Sequence, residues 1–428
     1  MTGVNSGHYL ILAYTMLCYP HSLREATLSI SNAVTSERLH TKGFKYELRP
    51  TPDQAIELNK ILGCSRKVYN ELLAISQNDY LLYKNGLSEV KPNVTQYSLI
   101  NLSTQLKYRT DLYYLKAISS IVIQQKAIDL STAFNNFFKH RSGYPRFKKR
   151  GYNDSFRIVG KDSIRISQNG IIVPNTQCGP IQVLWSRDLP SEPSSYTVTR
   201  TASGRYYISF VCQYVPNRPS GTNQVGIDLG VKDLAVMSNG TILPNPKWYH
   251  LAMKKLAHLQ RQLARKVKNS INYHTARIRL AKWHEYISNS RKDYMHKLTS
   301  KLIGDNQAIS IEDLNVKGMV RNRHLAKSII QSGFGQFRQY LVYKVMESIS
   351  SYLIIADRWY PSTQLCSHCG VKSPTRINLS MRQWQCGQCG TTHHRDANAA
   401  SNLEALIPSA LQYIEPGHRI VLMPALDY

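Results

Sequence analysis

CSHCGVKSPTRINLSMRQWQCGQCGTTHHRDANAASNL, residues Cys366–Leu403, is the stretch from which the rest of this chain can be interpreted. It holds two Cys-x-x-Cys pairs, Cys366/Cys369 and Cys386/Cys389, with sixteen residues between them. A glycine follows each pair and permits the tight turn that points two thiolates at one atom. This spacing is typical of a four-cysteine Zn²⁺ site, whereas a disulfide or an incidental origin explains neither the pairing nor the glycines. We therefore predict one structural zinc ion.

A carboxylate follows this region at a constrained position. Only six residues separate Asp396 from the last cysteine, and Asp396 stands at the start of an Ala/Asn/Leu run that we expect to be helical. Because the metal-bound loop fixes one side of Asp396 and the helix fixes the other, its carboxylate has little freedom. Asp396 is therefore a candidate for chemistry.

The charge of the whole chain indicates a polyanionic partner. The 428 residues include 54 Lys and Arg but only 27 Asp and Glu, which gives a net charge of +27 and a pI near 9.7. A nucleic acid would neutralise this excess, and 27 tyrosines offer surfaces on which bases can stack. A merely basic, solvated surface is the alternative, but it is more typical of a much smaller charge. The length allows two to four domains with cores of their own.

Cysteine usage and hydropathy give an expectation for the compartment. The cysteines outside the two pairs show no pairing spacing, which is typical of a reducing, intracellular setting: Cys18, Cys64, Cys178 and Cys212. The apolar run Tyr9–Cys18 is too short to span a bilayer, and no Lys or Arg precedes it as in a secretory signal. We expect no membrane contact, and a cytoplasmic, nucleoid-associated protein in a prokaryote or a nuclear one in a eukaryote.

The amino-terminal half alternates between strand and helix patterns. Residues 1–41 show no periodicity and form an extension. Residues 42–49 alternate as a strand, and Thr51-Pro-Asp-Gln54 carries the capping box of a long helix. A second helical pattern runs from Tyr113 to Lys139, with an aromatic stripe that is more typical of a core than of base stacking.

A β-rich region follows at residues 155–214. Two hairpins are expected there, around Asn169-Gly170 and around Ser203-Gly204. Together with the strand at 42–49 they could close a small β-barrel, which the helical residues 51–140 would interrupt.

Two basic regions are candidates for nucleic-acid contacts. In the loop 143–150, which Pro145 keeps extended, cations can meet phosphates while rings stack on bases. Its candidate residues are Tyr144, Arg146, Phe147 and Lys148. A basic linker between helices and sheet is the alternative for this loop.

The second region is a pair of amphipathic helices between 247 and 301, whose outer faces are cationic and nearly free of acids. A solvated face would be mixed, so we interpret these cations, among them Lys254, Lys255, Arg261 and Arg265, as a wall of a duplex-binding channel.

Three acids stand in separate segments. Asp228 interrupts one apolar strand pattern, and Glu312 ends another. A carboxylate in a buried strand is costly unless it is paired or bound to metal, although an edge-strand position is the alternative for Asp228. Asp313 points to the opposite face and is the weaker candidate. Ribonuclease H-type folds join acids from a first strand, a later strand and a terminal helix, so with Asp396 these acids predict a nuclease site that binds two Mg²⁺ ions.

Four motifs, in this order, resemble the TnpB (OrfB) family of transposon-encoded, RNA-guided RuvC-like DNA endonucleases, which is related to type V CRISPR effectors. They are GIDLG at 226–230, SIEDLN at 310–315, the two cysteine pairs, and RDANAA at 395–400. The shorter stretches GCSRKVYN at 63–70 and YPRF at 144–147 are also family-like. Each motif is weak alone, but their order and spacing across residues 42–405 are specific.

The resemblance implies partners and roles. It implies that Asp228, Glu312 and Asp396 are the Mg²⁺-binding catalytic residues and that the four paired cysteines bind Zn²⁺. It implies a guide RNA and a target DNA that is cut beside a short target-adjacent motif, with one protein per RNA. Residues of the 63–70 stretch would contact nucleic acid: Arg66, Tyr69 and Asn70. The biological role would be the maintenance or spread of a mobile element.

The expected fold is α/β and multidomain, with an RNase H-like RuvC nuclease domain, an inserted zinc ribbon, and an amino-terminal wedge-like β-barrel that carries a helical recognition insert. The expected boundaries are 1–41 for the extension, 42–50 and 141–222 for the barrel, 51–140 for the recognition lobe, 223–358 for the nuclease domain with its basic helical hairpin 247–301, 359–393 for the zinc ribbon, and 394–428 for the carboxy-terminal nuclease segment and tail.

Two departures from the family and two alternative functions remain. The extension 1–41 has no counterpart in the family. His394 stands where the family usually has an acid, and an imidazole beside the metals would change their affinity or pH response. We keep Asp396 as the ligand because it directly precedes the Ala-Asn-Ala-Ala run. The alternatives are an RNA-guided DNA-binding regulator that does not cut, against which the intact acids argue, and a transposase or recombination accessory protein that needs no guide RNA.

Overall fold

The structure, a computed structural model, describes residues 39–151, 154–246, 248–378, 380–414 and 418–423, and only the backbone of 248–251. Nearly all of the expected extension 1–41 therefore lies outside the described residues. The described chain forms two compact units. The amino-terminal unit comprises Leu39–Tyr214 and Lys247–Arg291, and the carboxy-terminal unit comprises Val215–Pro246 and Lys292–Tyr428. No helix in the described ranges is both long and apolar enough to cross a membrane.

The α-helices are α1 Pro52–Lys84, α2 Gln96–Gln105, α3 Ser120–Phe138, α4 Trp248–Ala264, α5 Ile271–Asp305, α6 Val316–Met319, α7 Ala326–Ser332, α8 Phe334–Met346, α9 Arg395–Ala405 and α10 Ile407–Gln412. The strands are β1 His40–Arg49, β2 Asp154–Val159, β3 Arg165–Ser167, β4 Gly170–Ile172, β5 Gln182–Leu184, β6 Ser195–Arg200, β7 Tyr206–Tyr214, β8 Asn223–Leu229, β9 Asp233–Met237, β10 Ile242–Pro244, β11 Asn306–Glu312, β12 Tyr352–Ala356, β13 Gln383–Gln385, β14 Thr392–His394 and β15 Ile420–Leu422.

In the amino-terminal unit, α1 begins where the capping box predicts. The Thr51 hydroxyl accepts a hydrogen bond from the Gln54 backbone N–H, and the Gln54 side chain accepts one from the Thr51 backbone N–H. The Gln54 amide also donates to the carbonyl oxygens of Cys178 and Pro180. This residue therefore joins the start of the helix to the β-rich region.

Five strands of this unit form an antiparallel sheet in the order β2-β6-β7-β1-β5, and β3 and β4 form a separate two-stranded sheet. Both predicted hairpins are confirmed, as β3–β4 and β6–β7. Alternate residues of β7 are buried, so one face of the sheet meets the core that α1 and α3 also cover. The described strands do not close into a barrel, since β2 and β5 are the edges of the sheet and do not pair.

The prediction of a second α-helix from Tyr113 to Lys139 is wrong for the first part of that range. Thr110–Ala117 is a 3₁₀ helix, and Ile118 is extended before α3 begins. Leu112 and Leu115 are both buried. Their spacing of three suits a 3₁₀ helix, in which residues i and i+3 lie above one another.

The carboxy-terminal unit contains a six-stranded sheet in the order β10-β9-β8-β11-β12-β15. The pairs β10–β9 and β9–β8 are antiparallel, and the pairs from β8 to β15 are parallel. The predicted strands around Asp228 and Glu312 are confirmed as β8 and β11. Helix α8 ends at Met346, shortly before the parallel strand β12 begins.

The predicted basic helical hairpin is confirmed as α4 and the first part of α5. The Trp283 indole N–H donates to the Ala252 carbonyl, 2.9 Å away, and joins the two helices. Glu285 of α5 accepts hydrogen bonds from Ser203 and Tyr207 of the five-stranded sheet region. Residues 247–291 therefore group with the amino-terminal unit in this structure.

Candidate active site and metal centre

Two of the three predicted acids lie on neighbouring parallel strands. Ile227 of β8 is the register partner of Ile311 of β11. Asp228 and Glu312 follow these partners directly, so they stand side by side where the two strands end. The Ser362 hydroxyl donates to the Glu312 carboxylate. Both acids are half-buried.

Helix α9 brings the third acid to the same edge of the sheet. A Cβ atom on Gly226 would lie 1.9 Å from the Ala400 carbonyl oxygen, so α9 packs directly on the backbone of β8. Asp228 is two residues from Gly226 on the strand, and Asp396 is four residues from Ala400 on the helix. Each acid therefore lies on the same face of its element as the contact residue. The glycine permits the approach that places Asp396 near Asp228.

The electrostatics agree with this proximity. Burial raises the pKa of Asp228 well above its ordinary value, and the negative charges of Glu312 and Asp396 raise it further, while Arg395 opposes them. Burial also raises the pKa of Glu312, which the hydrogen bond from Ser362 partly offsets. Carboxylates that destabilise one another's charged forms are a favourable environment for a bound cation.

Asp396 also interacts with two arginines. It accepts hydrogen bonds from Arg395 Nε at 2.8 Å and from Arg382 at 3.1 Å. The predicted weaker candidate, Asp313, is engaged differently, in ion pairs with Arg338 and Arg358. Burial alone would raise the pKa of Asp313, but the two arginines outweigh it and leave the pKa below its usual value. Asp313 is thus a neutralised structural acid.

The four predicted cysteines form the second cluster. The Sγ atoms of Cys366 and Cys389 are 3.6 Å apart, and those of Cys369 and Cys386 are 3.7 Å apart. All four lie within 4.8 Å of one another. A tetrahedron with Zn–S bonds of about 2.3 Å has edges of roughly 3.8 Å, so the sulfur positions fit one zinc ion. In the part of the chain that the structure describes, no other set of three or more His, Cys, Asp or Glu side chains lies closely enough together to hold a metal ion.

The two cysteine pairs adopt the same local structure. Gly370 and Gly390 have φ angles of +74° and +71°, and each donates its N–H to the carbonyl of the first cysteine of its pair. The first cysteines, Cys366 and Cys386, are buried, and the second ones are exposed. The glycines are therefore required for the left-handed turn that closes each pair.

Two asparagines of α9 were not singled out from the sequence. Asn398 donates to the Leu365 carbonyl at 2.7 Å and accepts from the Ser367 N–H at 2.9 Å. Asn402 donates to the carbonyls of Ser362 and Leu365. Both side chains are buried, and their spacing of four places them on one face of the helix. They fasten the start of the cysteine region to the helix that carries Asp396.

His394, the residue that departs from the family pattern, is exposed on β14 opposite Gln383. Its neighbour His393 is buried, with Nε2 3.0 Å from the Cys366 sulfur. Alternation along the strand therefore directs these two histidines to opposite faces.

Three predicted nucleic-acid contacts are used within the protein. Arg66 forms an ion pair with Asp154 at 2.9 Å. Tyr69 is buried beneath the Lys148 ammonium, and Asn70 hydrogen-bonds the Lys148 backbone. In this conformation Tyr69 and Asn70 hold the basic loop, and Arg66 pairs with the first residue of β2. These three side chains therefore do not form an open stacking surface.

The other predicted contacts lie at the surface. The basic loop exposes Tyr144, Arg146, Phe147 and Lys148. Helix α4 exposes Lys254, Lys255 and Arg261, and Arg265 is exposed directly after the helix ends. Lys255 lies 4.2 Å from the centroid of the Trp283 ring. In the described part of the chain, no ion pair joins a carboxylate to Lys254, Lys255, Arg261 or Arg265.

Comparison with known families gives matches along most of the chain. Residues 195–323 match the OrfB_IS605 family, described as "Probable transposase". Residues 334–403 match the "Cas12f1-like, TNB domain" family, and residues 40–84 match a "Helix-turn-helix domain" family. The last match covers β1 and the continuous helix α1 in this structure.

Relatives and solved structures agree with these matches. A protein of Streptomyces pristinaespiralis described as "Putative RNA-guided DNA endonuclease" is 35% identical over 85% of this chain and 89% of its own length. A protein of Escherichia coli with the same description, InsQ, is 31% identical over 85% of this chain and 92% of its own length. The solved structure of a Cas12f1–sgRNA–target DNA complex has a TM-score of 0.50 at 14% identity, covers 83% of each chain, and supports a shared fold. The chain therefore belongs to the OrfB (TnpB) family.

Proposed function

We propose that this protein is an RNA-guided DNA endonuclease that hydrolyses phosphodiester bonds with Asp228, Glu312 and Asp396. One observation carries the proposal: three acids from distant segments lie near one another at one edge of the sheet, where burial and the charges of Glu312 and Asp396 raise the pKa of Asp228. The order of their elements, a first strand, a later strand and a terminal helix, is that of an RNase H-like nuclease domain. The relatives with this description support the activity.

The donor set fits Mg²⁺, because hard divalent cations prefer carboxylate oxygens. Two such ions would supply charge neutralisation and an activated water at the scissile phosphate. The chain's own residues prepare the site. Parallel strands hold Asp228 and Glu312 side by side, Ser362 orients Glu312, and Arg395 orients Asp396. These contacts restrict the carboxylate side chains before any metal binds.

The cysteine cluster serves as a structural zinc site in this proposal. Its sulfur separations fit tetrahedral Zn²⁺, and Asn398 and Asn402 join its first segment to α9. Zinc would therefore stabilise the position of the helix that carries Asp396. We assign it no part in the chemical step.

Guide RNA and target DNA are the proposed partners. The net charge of +27 and the exposed cations of α4 support a polyanionic ligand. In such complexes RNA–DNA pairing supplies sequence specificity while the protein contacts backbone and shape. The domain boundaries, the one-protein-per-RNA complex and the role in a mobile element predicted from the sequence belong to the same proposal.

The test is cleavage by the purified protein with the RNA that accompanies it. Sequencing that RNA would define its variable end, and a plasmid would carry the matching target beside a randomised flank. With Mg²⁺ we expect cutting of the plasmid. Asp228→Asn, Glu312→Gln and Asp396→Asn should each lower the rate by about 10³-fold or more, because several kcal/mol of metal-assisted stabilisation is lost.

Asp313→Asn is the matched control, since this acid adjoins Glu312 in the chain but is held by arginines. Wild-type rates in any of the three acid variants would refute the assignment of the site. Absence of cutting by the wild type would favour the regulator, and cutting without RNA would favour a guide-independent transposase.

A further inference from the structure

A basic cavity of about 440 Å³ lies within the amino-terminal unit, apart from the acids and the cysteines. Its volume is within the range of roughly 300–1,000 Å³ typical of small-ligand sites. Helices α1 and α3, the basic loop and β2 contribute its lining. The lining residues are Ser65, Arg66, Lys126, Phe147, Lys148, Lys149, Asp154 and Ser155.

The loop side of the cavity has a defined shape. The Asn70 amide accepts from the Lys148 N–H at 2.8 Å and donates to the Lys148 carbonyl at 3.0 Å, as a neighbouring strand would. Tyr144 packs edge-on against Phe134 and Phe137 of α3. The loop is thus fastened on both sides of Phe147.

The charges in the cavity do not cancel. Arg66 pairs with Asp154, and Lys126 pairs with Asp129. Lys148 lies over the Tyr69 ring, 3.9 Å from its centroid, and Lys149 is exposed. Neither of these two lysines has a carboxylate partner among the ion pairs of the described residues. Two positive charges in excess make the cavity a site for an anion.

Phe147 determines which anion fits best. Its ring remains 48% exposed although it lines a cavity of cations. An inorganic anion gains nothing from such a ring, whereas a nucleotide can place its phosphate among the cations and its base on the aromatic face. Single-stranded nucleic acid makes this pair of contacts, because its bases are not stacked inside a duplex.

We propose that this cavity binds one nucleotide of a single strand, with its phosphate near Lys148 and Lys149 and its base on Phe147. The nucleotide would belong either to a guide RNA or to a displaced DNA strand. The RNA source rests on the proposed function. Asn70 and Tyr69 are positioning residues here, since they hold the loop and do not touch the nucleotide.

The environment of Lys148 gives a second readout. Lys148 as a whole residue is exposed, but its ammonium packs over the Tyr69 ring and loses part of its contact with water. This desolvation, and then the charge of Lys126, lower the pKa of Lys148 to about 8. The groups that face it are Arg66, Tyr69, Lys126, Asp129, Lys149 and Asp154. A phosphate would restore the ordinary, higher pKa, so binding takes up a proton. Affinity should therefore fall as the pH rises through about 8.

The first experiment is ultraviolet cross-linking of the purified protein, followed by peptide mass spectrometry. One arm uses the RNA that co-purifies, and the other uses an added oligothymidylate. A nucleotide attached within residues 147–149 in either arm supports the proposal and identifies the source. Cross-links confined to other peptides in both arms would overturn it. If no RNA co-purifies, the proposed function fails while the DNA arm still tests the cavity.

The second experiment measures binding of a labelled oligouridylate and a labelled oligothymidylate. Phe147→Ala should weaken binding of the preferred strand by about 5- to 100-fold. Lys149→Ala should lower the slope of log affinity against log salt by about 0.7. Lys91→Ala removes an exposed lysine of the same unit and should change neither quantity.

The pH profile uses Lys148→Met as its variant. Between pH 7 and pH 9 the wild type should lose affinity more steeply than this variant does. Equal binding by Phe147→Ala and Lys91→Ala, together with equal pH profiles for wild type and Lys148→Met, would overturn the proposal.

Discussion

The cysteine cluster is assembled from residues close together in the chain, whereas the carboxylate cluster is assembled from residues far apart in it. The cysteines come from two short pairs that are shaped locally by glycine turns. Their sulfurs already lie near the corners of one tetrahedron. The acids come from two strands and a helix, and only the register of the sheet and the packing of α9 bring them together. One site is encoded by spacing, and the other is encoded by the fold.

This difference also separates their energetics. Zinc binding at a locally formed site contributes directly to the stability of the segment that holds it. The acids, in contrast, are costly to ionise, because burial first, and then the charges of Glu312 and Asp396, raise the pKa of Asp228. Removing a cysteine should therefore cost stability, whereas removing an acid should cost only activity.

The largest effect is expected for Cys386→Ser. It removes a buried ligand, so the protein should lose its zinc and most of the cooperative melting of the 362–405 region. Zinc content per chain and thermal unfolding measure this. Cys178→Ser changes a cysteine outside the cluster and should stay within about 0.5 kcal/mol of wild type. Full zinc content and wild-type melting of Cys386→Ser would contradict a structural zinc.

Gly226→Ala should cost about 3 kcal/mol, because its Cβ would collide with the Ala400 carbonyl and push α9 from the sheet. Displacement of Asp396 should lower cleavage as well. Gly63→Ala is the control, since nothing lies within 4 Å of a Cβ there and the position is helical. That variant should gain up to about 1 kcal/mol. Equal melting of the two variants would show that the close approach is not needed.

Asn398→Ala should cost about 2 kcal/mol, since it leaves buried backbone groups of Leu365 and Ser367 without their partner. Cleavage should fall by about 10- to 100-fold, as for other groups that orient a metal site. Ser401→Ala, whose hydroxyl bonds only within α9, is the control. A melting loss without any loss of cleavage would mean that this asparagine supports the fold alone.

The smallest effect, and one of opposite sign, is expected for Asp228→Asn in zinc-loaded protein without added Mg²⁺. Its folded pKa is raised, so ionisation at neutral pH costs stability, and the amide should gain about 1 kcal/mol. The wild type should approach the variant as the pH falls and Asp228 becomes protonated. Asp313→Asn should instead lose stability, because its pKa is lowered by two arginines. A destabilised Asp228→Asn would contradict the cost of holding this charge in its buried, acidic surroundings.

Features that depend on neighbouring residues could be predicted from the sequence. The capping box at Thr51, both hairpins and the cysteine site follow from local turns, spacing and alternation. The positions of Asp228 and Glu312 on strands were also predicted, because apolar runs interrupted by an acid are uncommon. The family resemblance is confirmed by the relatives.

Features that depend on distant packing could not be predicted. The motif around Asn70 resembled a nucleic-acid contact, but its amide completes the backbone bonding of a loop 78 residues away. Arg66 pairs with Asp154 across 88 residues in the same way. Nothing in the spacing of Asn398 and Asn402 revealed which carbonyls they would reach. Polar residues on a helix signal a contact, but the partner is set by the tertiary fold.

Helix α9 has consequences for how this chain can be recombined with its relatives. Within eleven residues it presents Asp396 to one neighbour, Ala400 to the strand beneath it, and Asn398 and Asn402 to the peptide that begins the cysteine region. A chimera that exchanges only the cysteine segment would separate these asparagines from the carbonyls they match. Crossover points placed before Ser362 and after Ala405 would transfer the whole set intact, and they define the smallest cassette that engineering of this protein should exchange.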